Sequence, residues 1–225
     1  VEKGEFVGVM GPSGSGKTTL LNMMAAIDRV TAGHIFFGDT DITELSENKL
    51  SDFRKENLGF VFQEYNLLDT LTIEENILLS LTLRGGSRKI MQQTCDEMLS
   101  LLSIADIRGK FPYQVSGGQK QRCACARAMI GKPRLLLADE PTGALDSLSS
   151  QTLLETFTDL NQNLKAAILM VTHDAFSASY CSRILFLKDG KIFHELVRGD
   201  APRNQFLQEI LSVLSLTGGE LSHAR

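Results

Sequence analysis

The residues best suited to bind a ligand form a glycine-rich loop near the beginning of the chain. An apolar run, Phe6–Met10, leads into the pattern G-x-x-x-x-G-K-[ST], which starts at Gly11 and ends in Lys17 and Thr18. Glycines allow successive backbone N–H groups to point into one concavity that suits an anion, and the helix expected from Lys17 adds its positive end. The lysine of this pattern reaches the β- and γ-phosphates, and the threonine hydroxyl binds Mg²⁺. The loop therefore predicts a site for a nucleoside triphosphate.

The residues expected to bind the phosphates form one continuous run. They are Gly11, Pro12, Ser13, Gly14, Ser15, Gly16, Lys17, Thr18 and Thr19. A glycine- and serine-rich turn without a ligand is the alternative. An accidental match is expected only about once per hundred chains of this length at average residue usage. The strand-like run before the loop and the helix-forming segment after it make an accident rarer still.

Polar side chains follow three predicted strands, and each could act on a bound nucleotide. Asp139 and Glu140 end a buried apolar run, at the strand edge where open α/β sheets bind ligands. Asp139 is expected to orient Mg²⁺ through a water, and Glu140 to accept a proton from an attacking water. His173 ends another such run and could bond the γ-phosphate, while Gln63 could touch Mg²⁺ or the water. Each is weak evidence alone, because acidic loops and structural histidines are common.

A second glycine turn, Ser116–Gln119, opens a helix predicted over Gln119–Ile130. It exposes backbone N–H groups at a helix N-terminus, which is a second anion-binding site in one chain. A flexible Ser-Gly-Gly loop is the alternative. One chain binding one nucleotide hardly needs two such sites, so we expect the second to complete a site on another copy, as a two-fold dimer permits.

The elements that must position these residues alternate between strands and helices, which indicates a parallel sheet. Strands are predicted at Phe6–Met10, Gly33–Asp39, Leu58–Phe62, Leu135–Asp139 and Ala167–Val171, followed by a hairpin of Arg183–Leu187 and Lys191–Glu195. The run Leu58–Phe62 is continuous and apolar, so we expect it to be covered on both faces. The predicted fold class is α/β: a P-loop NTPase (RecA-like) core with a mostly parallel sheet, a small antiparallel portion and an inserted α-helical subdomain.

Three regions follow from this reading. Residues 1–68 and 131–200 are predicted to form the RecA-like core. Residues 69–130 form a helical subdomain that starts with a capping box, Thr72–Glu75, and carries Ser116–Gln119. Residues 201–225 form an amphipathic C-terminal helix and tail, with Phe206 and Ile210 on its apolar face together with Val213 and Leu214.

Composition excludes several classes of protein. The net charge of −4 comes without a long block of one sign, so no nucleic-acid partner is expected. No apolar run approaches the eighteen or so residues of a membrane span, so a membrane role must come through a partner. Four cysteines, Cys95, Cys123, Cys125 and Cys181, lack disulfide or zinc spacing. We expect them to be buried reduced thiols, as in the cytosol.

In the order of its motifs, the chain resembles the ATP-binding subunits of ABC transporters along nearly its whole length. The motifs are GPSGSGKTT at 11–19, Gln63, VSGGQKQR from Val115, LLLADEP from Leu135, Ala144–Asp146 and His173. Val115 stands where leucine is commonest in that family. The resemblance implies an active ATPase with ATP and Mg²⁺ as ligands. Its implied catalytic residues are Glu140, His173, Gln63 and Lys17, and its implied metal-binding residues are Thr18, Gln63 and Asp139. Its implied nucleotide-binding residues are Gly11–Thr19, Asp146, and the run Ser116, Gly117, Gly118 and Gln119, which contacts ATP bound to the opposite subunit.

Within the macrolide-export and lipoprotein-release branch, the chain is most similar to the bacitracin-resistance (Bce) type. The similar segments are Tyr65–Thr72, Asp139–Ser147, Ala178–Cys181, Lys188–Lys191 and Phe206–Glu220. The resemblance implies an integral membrane permease, a second copy of the chain, and a sensor kinase reached through the permease as partners. It also implies a location at the cytoplasmic face of the cell membrane. A signalling or scaffolding ATPase without transport, or a lipoprotein-release or macrolide-export ATPase, is the alternative.

The family usually stacks adenine on an aromatic residue upstream of the phosphate loop. The tyrosines Tyr65, Tyr113 and Tyr180 all lie downstream of it. We therefore expect a segment before Val1 to supply that residue. Base–aromatic stacking contributes roughly 1–3 kcal/mol, so this chain should bind ATP more weakly than a version extended upstream. An ordinary P-loop kinase or a DNA-repair ATPase fits less well, because the former does not need Ser116–Gln119 and the latter needs a long coiled coil.

Overall fold

A computed structural model describes residues 1–218, which contain eight strands and eight α-helices. The strands are β1 (Phe6–Met10), β2 (Phe36–Phe37), β3 (Thr40–Asp41), β4 (Leu58–Val61), β5 (Leu135–Asp139), β6 (Ala167–Val171), β7 (Arg183–Lys188) and β8 (Lys191–Val197). The helices are α1 (Lys17–Met24), α2 (Glu47–Asn57), α3 (Ile73–Arg84), α4 (Arg88–Leu101), α5 (Gly117–Met129), α6 (Ser147–Leu164), α7 (Ala175–Ala178) and α8 (Arg203–Gly218).

The main sheet has six strands in the order β4-β5-β6-β1-β7-β8. Neighbouring strands are parallel except β7 and β8, which form the predicted antiparallel hairpin. Every residue of β1 and β6 is buried, as expected for central strands covered on both faces. The register pairs Val171 with both Val9 and Asp139, so β1, β5 and β6 end at one edge of the sheet. The predicted α/β class with a mostly parallel sheet is confirmed, and its edge carries the residues that follow these strands.

Two strand predictions need correction. The run Leu58–Phe62 is less completely covered than predicted: β4 is an edge strand, with Gly59 and Val61 buried on one face and Leu58 and Phe60 only partly buried on the other. Phe60 and Phe62 stack on each other, with ring centroids 4.0 Å apart, on its partly exposed side. The predicted single strand Gly33–Asp39 is instead half of a small hairpin of β2 and β3. Gly38 and Asp39 form the hairpin's turn, in keeping with the turn residues predicted to close the strand.

The helical segment after β4 has the predicted local signals. Thr72 and Glu75 make the capping box at the start of α3, with both reciprocal hydrogen bonds present. Helix α5 begins at Gly117, two residues before the predicted start, because Ser116 caps it. Cys123 and Cys125 are both buried in α5, and all four cysteines are buried and free, as predicted. The division into a core, a helical subdomain and a tail stays a prediction.

The predicted C-terminal helix is α8. Phe206 and Ile210 are fully buried, and Val213 and Leu214 are partly buried against the same core. The part of the predicted tail beyond residue 218 lies outside the described residues. Among residues 1–218, no helix combines the length and the apolar character needed to cross a bilayer.

Candidate nucleotide-binding site

The phosphate loop joins β1 to α1 and requires glycine at two positions, Gly16 for its backbone conformation and Gly11 for space. Gly16 has φ of 96° and directly precedes α1. A side chain at Gly11 would lie 2.2 Å from the carbonyl oxygen of Leu187 on β7, so the loop packs against the sheet end. Lys17 Nζ donates to the carbonyls of Gly11 and Pro12 at 2.9 Å each. The ammonium is thereby held over the loop, where phosphate oxygens would take over its hydrogen bonds.

Asp139 and Thr18 together offer two oxygen atoms that could bind a metal ion at the phosphate loop. The Thr18 hydroxyl donates to Asp139 Oδ1 at 3.4 Å. Burial raises the pKa of Asp139, the hydrogen bond from Thr18 opposes that rise, and the neighbouring charge of Glu140 adds to it. A half-buried carboxylate beside a hydroxyl is the donor chemistry that Mg²⁺ prefers. The residues present therefore fit a magnesium ion.

Glu140 and His173 lie together at the ends of β5 and β6. Glu140 Oε1 is 2.8 Å from His173 Nδ1, and the Thr172 hydroxyl lies 3.4 Å from Glu140 Oε2. Glu140 has φ of 46°, a conformation in which its N–H donates to the carbonyl of Val171 at 2.9 Å. Non-glycine residues rarely adopt this region and persist there only where the surroundings fix them. The Glu140 side chain is 14% exposed and the His173 side chain 71% exposed, so the pair opens to solvent on one side.

A network of buried hydroxyl groups lies next to the pair of Glu140 and His173. Ser177 Oγ donates to Asp174 Oδ2 at 2.6 Å and lies 3.0 Å from Thr142 Oγ1. The backbone N–H of Asp174 donates to the Thr172 hydroxyl at 3.1 Å. Thr142, Thr172 and Ser177 are all buried. The network joins the segment after Glu140 to the segment after His173. Sequence reasoning missed it, and only the capping aspartate Asp174 gave a readable local signal.

Gln63 reaches the same edge from β4. Its Nε2 lies 3.3 Å from the point that a side chain on Gly143 would occupy. The N–H of Gly143 donates to the carbonyl of Glu140 at 3.0 Å, so Gln63 stands beside the turn that follows Glu140. A cleft of about 460 Å³ lies in front of this turn and is lined by Glu140, Gly143 and His173 among others. The structure therefore brings Gln63, Asp139, Glu140 and His173 to one edge, as predicted.

The second glycine turn is built as a helix cap but lies apart from the phosphate loop. Ser116 Oγ accepts from the N–H of Gln119 at 3.3 Å, and Gln119 Oε1 accepts from the N–H of Ser116 at 2.9 Å. The nearest groups to Gly117 are Tyr65 and Ala144, and the nearest to Gly118 are on Ser149 and Arg122. None of these belongs to the phosphate loop.

Asp146 also acts as a cap, at the start of α6. Its carboxylate accepts from the backbone N–H and the hydroxyl of Ser149 at 2.9 and 2.8 Å. These hydrogen bonds lower the pKa of Asp146, first the one from the backbone and then the one from the side chain. Asp146 is therefore ionised at neutral pH and fixed in place. Its contact with a nucleotide stays a prediction.

Comparison with known proteins gives one consistent result. Residues 1–143 match the profile of the family described as ABC transporter. The bacitracin export ATP-binding protein BceA of Halalkalibacterium halodurans is 51% identical over 97% of this chain and 87% of that protein. A dimeric structure of MJ0796, described as a bacterial ABC transporter cassette, has a TM-score of 0.83 at 37% identity, covering 88% of this chain and 87% of its own. A dimeric structure of MJ0796 in a post-hydrolysis state with ADP and Pi has a TM-score of 0.82 at 37% identity over the same shares.

Proposed function

The chain belongs to the ABC transporter ATP-binding family, and from that premise we propose that it hydrolyses ATP to drive a membrane permease acting on bacitracin-like peptide antibiotics. The observation that carries the ATPase part is the pair of Glu140 and His173, held 2.8 Å apart at the strand edge next to the phosphate loop. The antibiotic part rests on the similarity to BceA, whose name states bacitracin export.

In the proposed reaction, backbone N–H groups of the phosphate loop and Lys17 hold the β- and γ-phosphates. Glu140 accepts a proton from water while the water oxygen attacks the γ-phosphorus in line, and the bond to the ADP oxygen breaks. His173 uses one ring nitrogen for Glu140 and leaves the other for the γ-phosphate. Mg²⁺ held by Thr18, Gln63 and, through water, Asp139 would neutralise charge on the phosphates. The products are ADP and inorganic phosphate.

The proposed working form is a dimer of this chain around two ATP molecules. Its support is the capped helix start at Ser116–Gln119, which offers backbone N–H groups to an anion but contacts Tyr65, Ala144 and Ser149 rather than its own phosphate loop. A second copy would bring the two glycine turns onto the same triphosphate. Asp146 would stand at the same joint. MJ0796, which has a similar fold, forms a dimer.

The permease is proposed to dock in a groove lined by Phe62, the residue before Gln63. This groove, hereafter the Phe62 groove, has a volume of about 370 Å³ and lies between β4 and helices α3 and α5. Its lining is largely apolar and includes Phe60, Phe62, Leu79 and Leu83, together with the polar and basic residues Asn66, Arg84 and Arg127. An apolar helix segment with acidic flanks would fit it. Docking there would place the chain at the cytoplasmic face of the cell membrane.

The test compares a host carrying the wild-type chain with one carrying Glu140→Gln. The variant is expected to co-purify with the permease from detergent-solubilised membrane and to lose resistance to bacitracin. Resistance to a macrolide and release of lipoproteins are the matched controls and should not change. Bacitracin resistance equal to that of the wild type would contradict the antibiotic assignment, and a change in the macrolide or lipoprotein arm would favour the other transporters of the branch. A sensor kinase in the purified complex would add the signalling partner.

A further inference from the structure

The loop that follows Gln63 has an unusual backbone. Tyr65 has φ of 64° and Asn66 has φ of 49°, so two consecutive non-glycine residues lie in the left-handed region. L-residues with side chains rarely adopt it, and two in a row persist only where neighbouring groups hold them. The loop is two residues from Gln63, and Gln63 is placed beside the Glu140–Gly143 turn. What holds Tyr65 and Asn66 therefore fixes the backbone two residues after Gln63.

Arg127, on helix α5, supplies that hold. Its Nη1 donates to the carbonyl of Asn66 at 2.6 Å, and its Nη2 donates to the carbonyl of Tyr65 at 2.9 Å. In the described part of the chain no carboxylate forms an ion pair with Arg127. Its guanidinium is hydrogen-bonded to these two carbonyl oxygens instead. Burial lowers the pKa of Arg127, but an arginine remains charged at neutral pH. A planar fork that bonds two adjacent carbonyls fixes both peptide groups at once.

The side chain of Tyr65 makes a second connection to the same helix. Its hydroxyl lies 3.0 Å from the point that a side chain on Gly117 would occupy. Gly117 is the first residue of α5, and Arg127 lies near its other end. Tyr65 therefore approaches the first residue of α5 with its hydroxyl, while its carbonyl accepts a hydrogen bond from Arg127 near the other end of the helix. Together, Tyr65 and Arg127 form what we call the loop clamp.

We propose that the loop clamp is a positioning device, in which Arg127 and Tyr65 hold Gln63 at the nucleotide edge and tie it to the helix that carries Ser116–Gln119. The role of Gln63 in this inference rests on the proposed function. Arg127 and Asn66 also line the Phe62 groove. The clamp thus faces the proposed permease site on one side and the nucleotide edge on the other, so that a segment seated in the groove would press on the group that sets Gln63.

The first experiment measures hydrogen–deuterium exchange of the nucleotide-free protein in the segment 63–69. Arg127→Gln removes the positive charge and the guanidinium that bonds both carbonyl oxygens. We expect about tenfold faster exchange there, equivalent to about 1.4 kcal/mol. The matched control is Arg84→Gln, because Arg84 lines the same groove and donates to a backbone carbonyl, that of Gly131. The control should leave exchange in this segment unchanged. Exchange at the wild-type rate in Arg127→Gln, or equal acceleration in Arg84→Gln, would overturn the proposal.

The second experiment follows ATP hydrolysis as Mg²⁺ is varied. In Arg127→Gln, kcat should fall about tenfold and the Mg²⁺ concentration for half-maximal rate should rise, while KM for ATP stays within about twofold because the phosphate loop is untouched. Arg127→Lys keeps one charged donor and should recover part of both losses. A purely structural residue would lower the melting temperature without shifting the Mg²⁺ requirement, and that outcome would refute the positioning role.

The proposal can still be tested if Arg127→Gln does not fold or if the wild-type chain hydrolyses no ATP. If Arg127→Gln does not fold, Tyr65→Phe carries the test, because it removes only the hydroxyl at Gly117; faster exchange at 63–69 supports the clamp and wild-type exchange refutes it. If the wild-type chain hydrolyses no ATP, the proposed function fails. The exchange measurement, made without nucleotide, then still decides whether the clamp holds the loop.

Discussion

The hydroxyl network under the catalytic pair leads to a prediction for Ser177→Ala. The substitution removes a charge-assisted hydrogen bond to Asp174, worth about 1.5–3 kcal/mol, and leaves the buried Thr142 hydroxyl unpaired, at a cost of about 1–3 kcal/mol. Asp174 keeps its bonds from the backbone N–H groups of Phe176 and Ser177, at 3.2 and 2.8 Å, which limits the loss. We expect the free energy of unfolding to fall by about 2–4 kcal/mol.

Urea unfolding with an unchanged slope measures this loss, and Ser179→Ala is the matched control. Ser179 is also buried in the α7 region, but its hydroxyl makes a single bond, at 2.6 Å, to the neutral carbonyl of Phe176. The control should lose about 1 kcal/mol. Ser177→Ala should also lower kcat about tenfold by misplacing His173, whereas the control should not. A loss in Ser177→Ala no larger than in Ser179→Ala, with equal turnover, would refute the network's role.

Three other predictions follow from the site. Glu140→Gln should bind ATP with wild-type affinity but hydrolyse it about 10²–10⁴-fold more slowly in a steady-state phosphate-release assay, and undiminished hydrolysis would rule out Glu140 as the base. Asp139→Asn should raise the urea midpoint of the nucleotide-free protein at pH 7. A carboxyl whose pKa is raised in the folded state stabilises the fold below its unfolded pKa of about 3.9 and loses that contribution as pH rises. The difference in urea midpoint between Asp139→Asn and the wild type should therefore vanish near pH 3. A lower midpoint for Asp139→Asn at pH 7 would contradict this. The four cysteines should resist a thiol reagent in the native chain and react once it is unfolded, because burial raises the pKa of Cys95 and Cys123 to about 12 and raises those of Cys125 and Cys181 as well; rapid labelling of the native chain would refute their burial.

The features that the sequence predicted correctly are those written in short local patterns. The phosphate loop, the capping box at Thr72 and the acidic end of β5 each depend on residues within about ten positions. Even the meeting of Asp139, Glu140 and His173 follows from a general rule, since parallel strands end at one edge of a sheet. The register of β5 and β6 places Glu140 Oε1 2.8 Å from His173 Nδ1, a distance that the rule alone does not predict.

The features that sequence reasoning missed depend on which distant segments meet. The edge position of β4 is set by strand order, which the apolar run Leu58–Phe62 does not encode. The contact of Ser177 with Thr142 joins residues 35 positions apart, and that of Arg127 with Tyr65 joins residues 62 positions apart. Serine, threonine and arginine are ordinary surface residues by type. Only their burial and partners in the folded chain give them a role.

A structure of the Glu140→Gln protein with Mg·ATP would test the central claim most directly. We predict a two-fold dimer in which each triphosphate lies between Gly11–Thr19 of one copy and Ser116–Gln119 of the other, with Ser116 within hydrogen-bond distance of the γ-phosphate. A structure in which ATP is bound by the phosphate loop while Ser116 of both copies remains far from any nucleotide would contradict it.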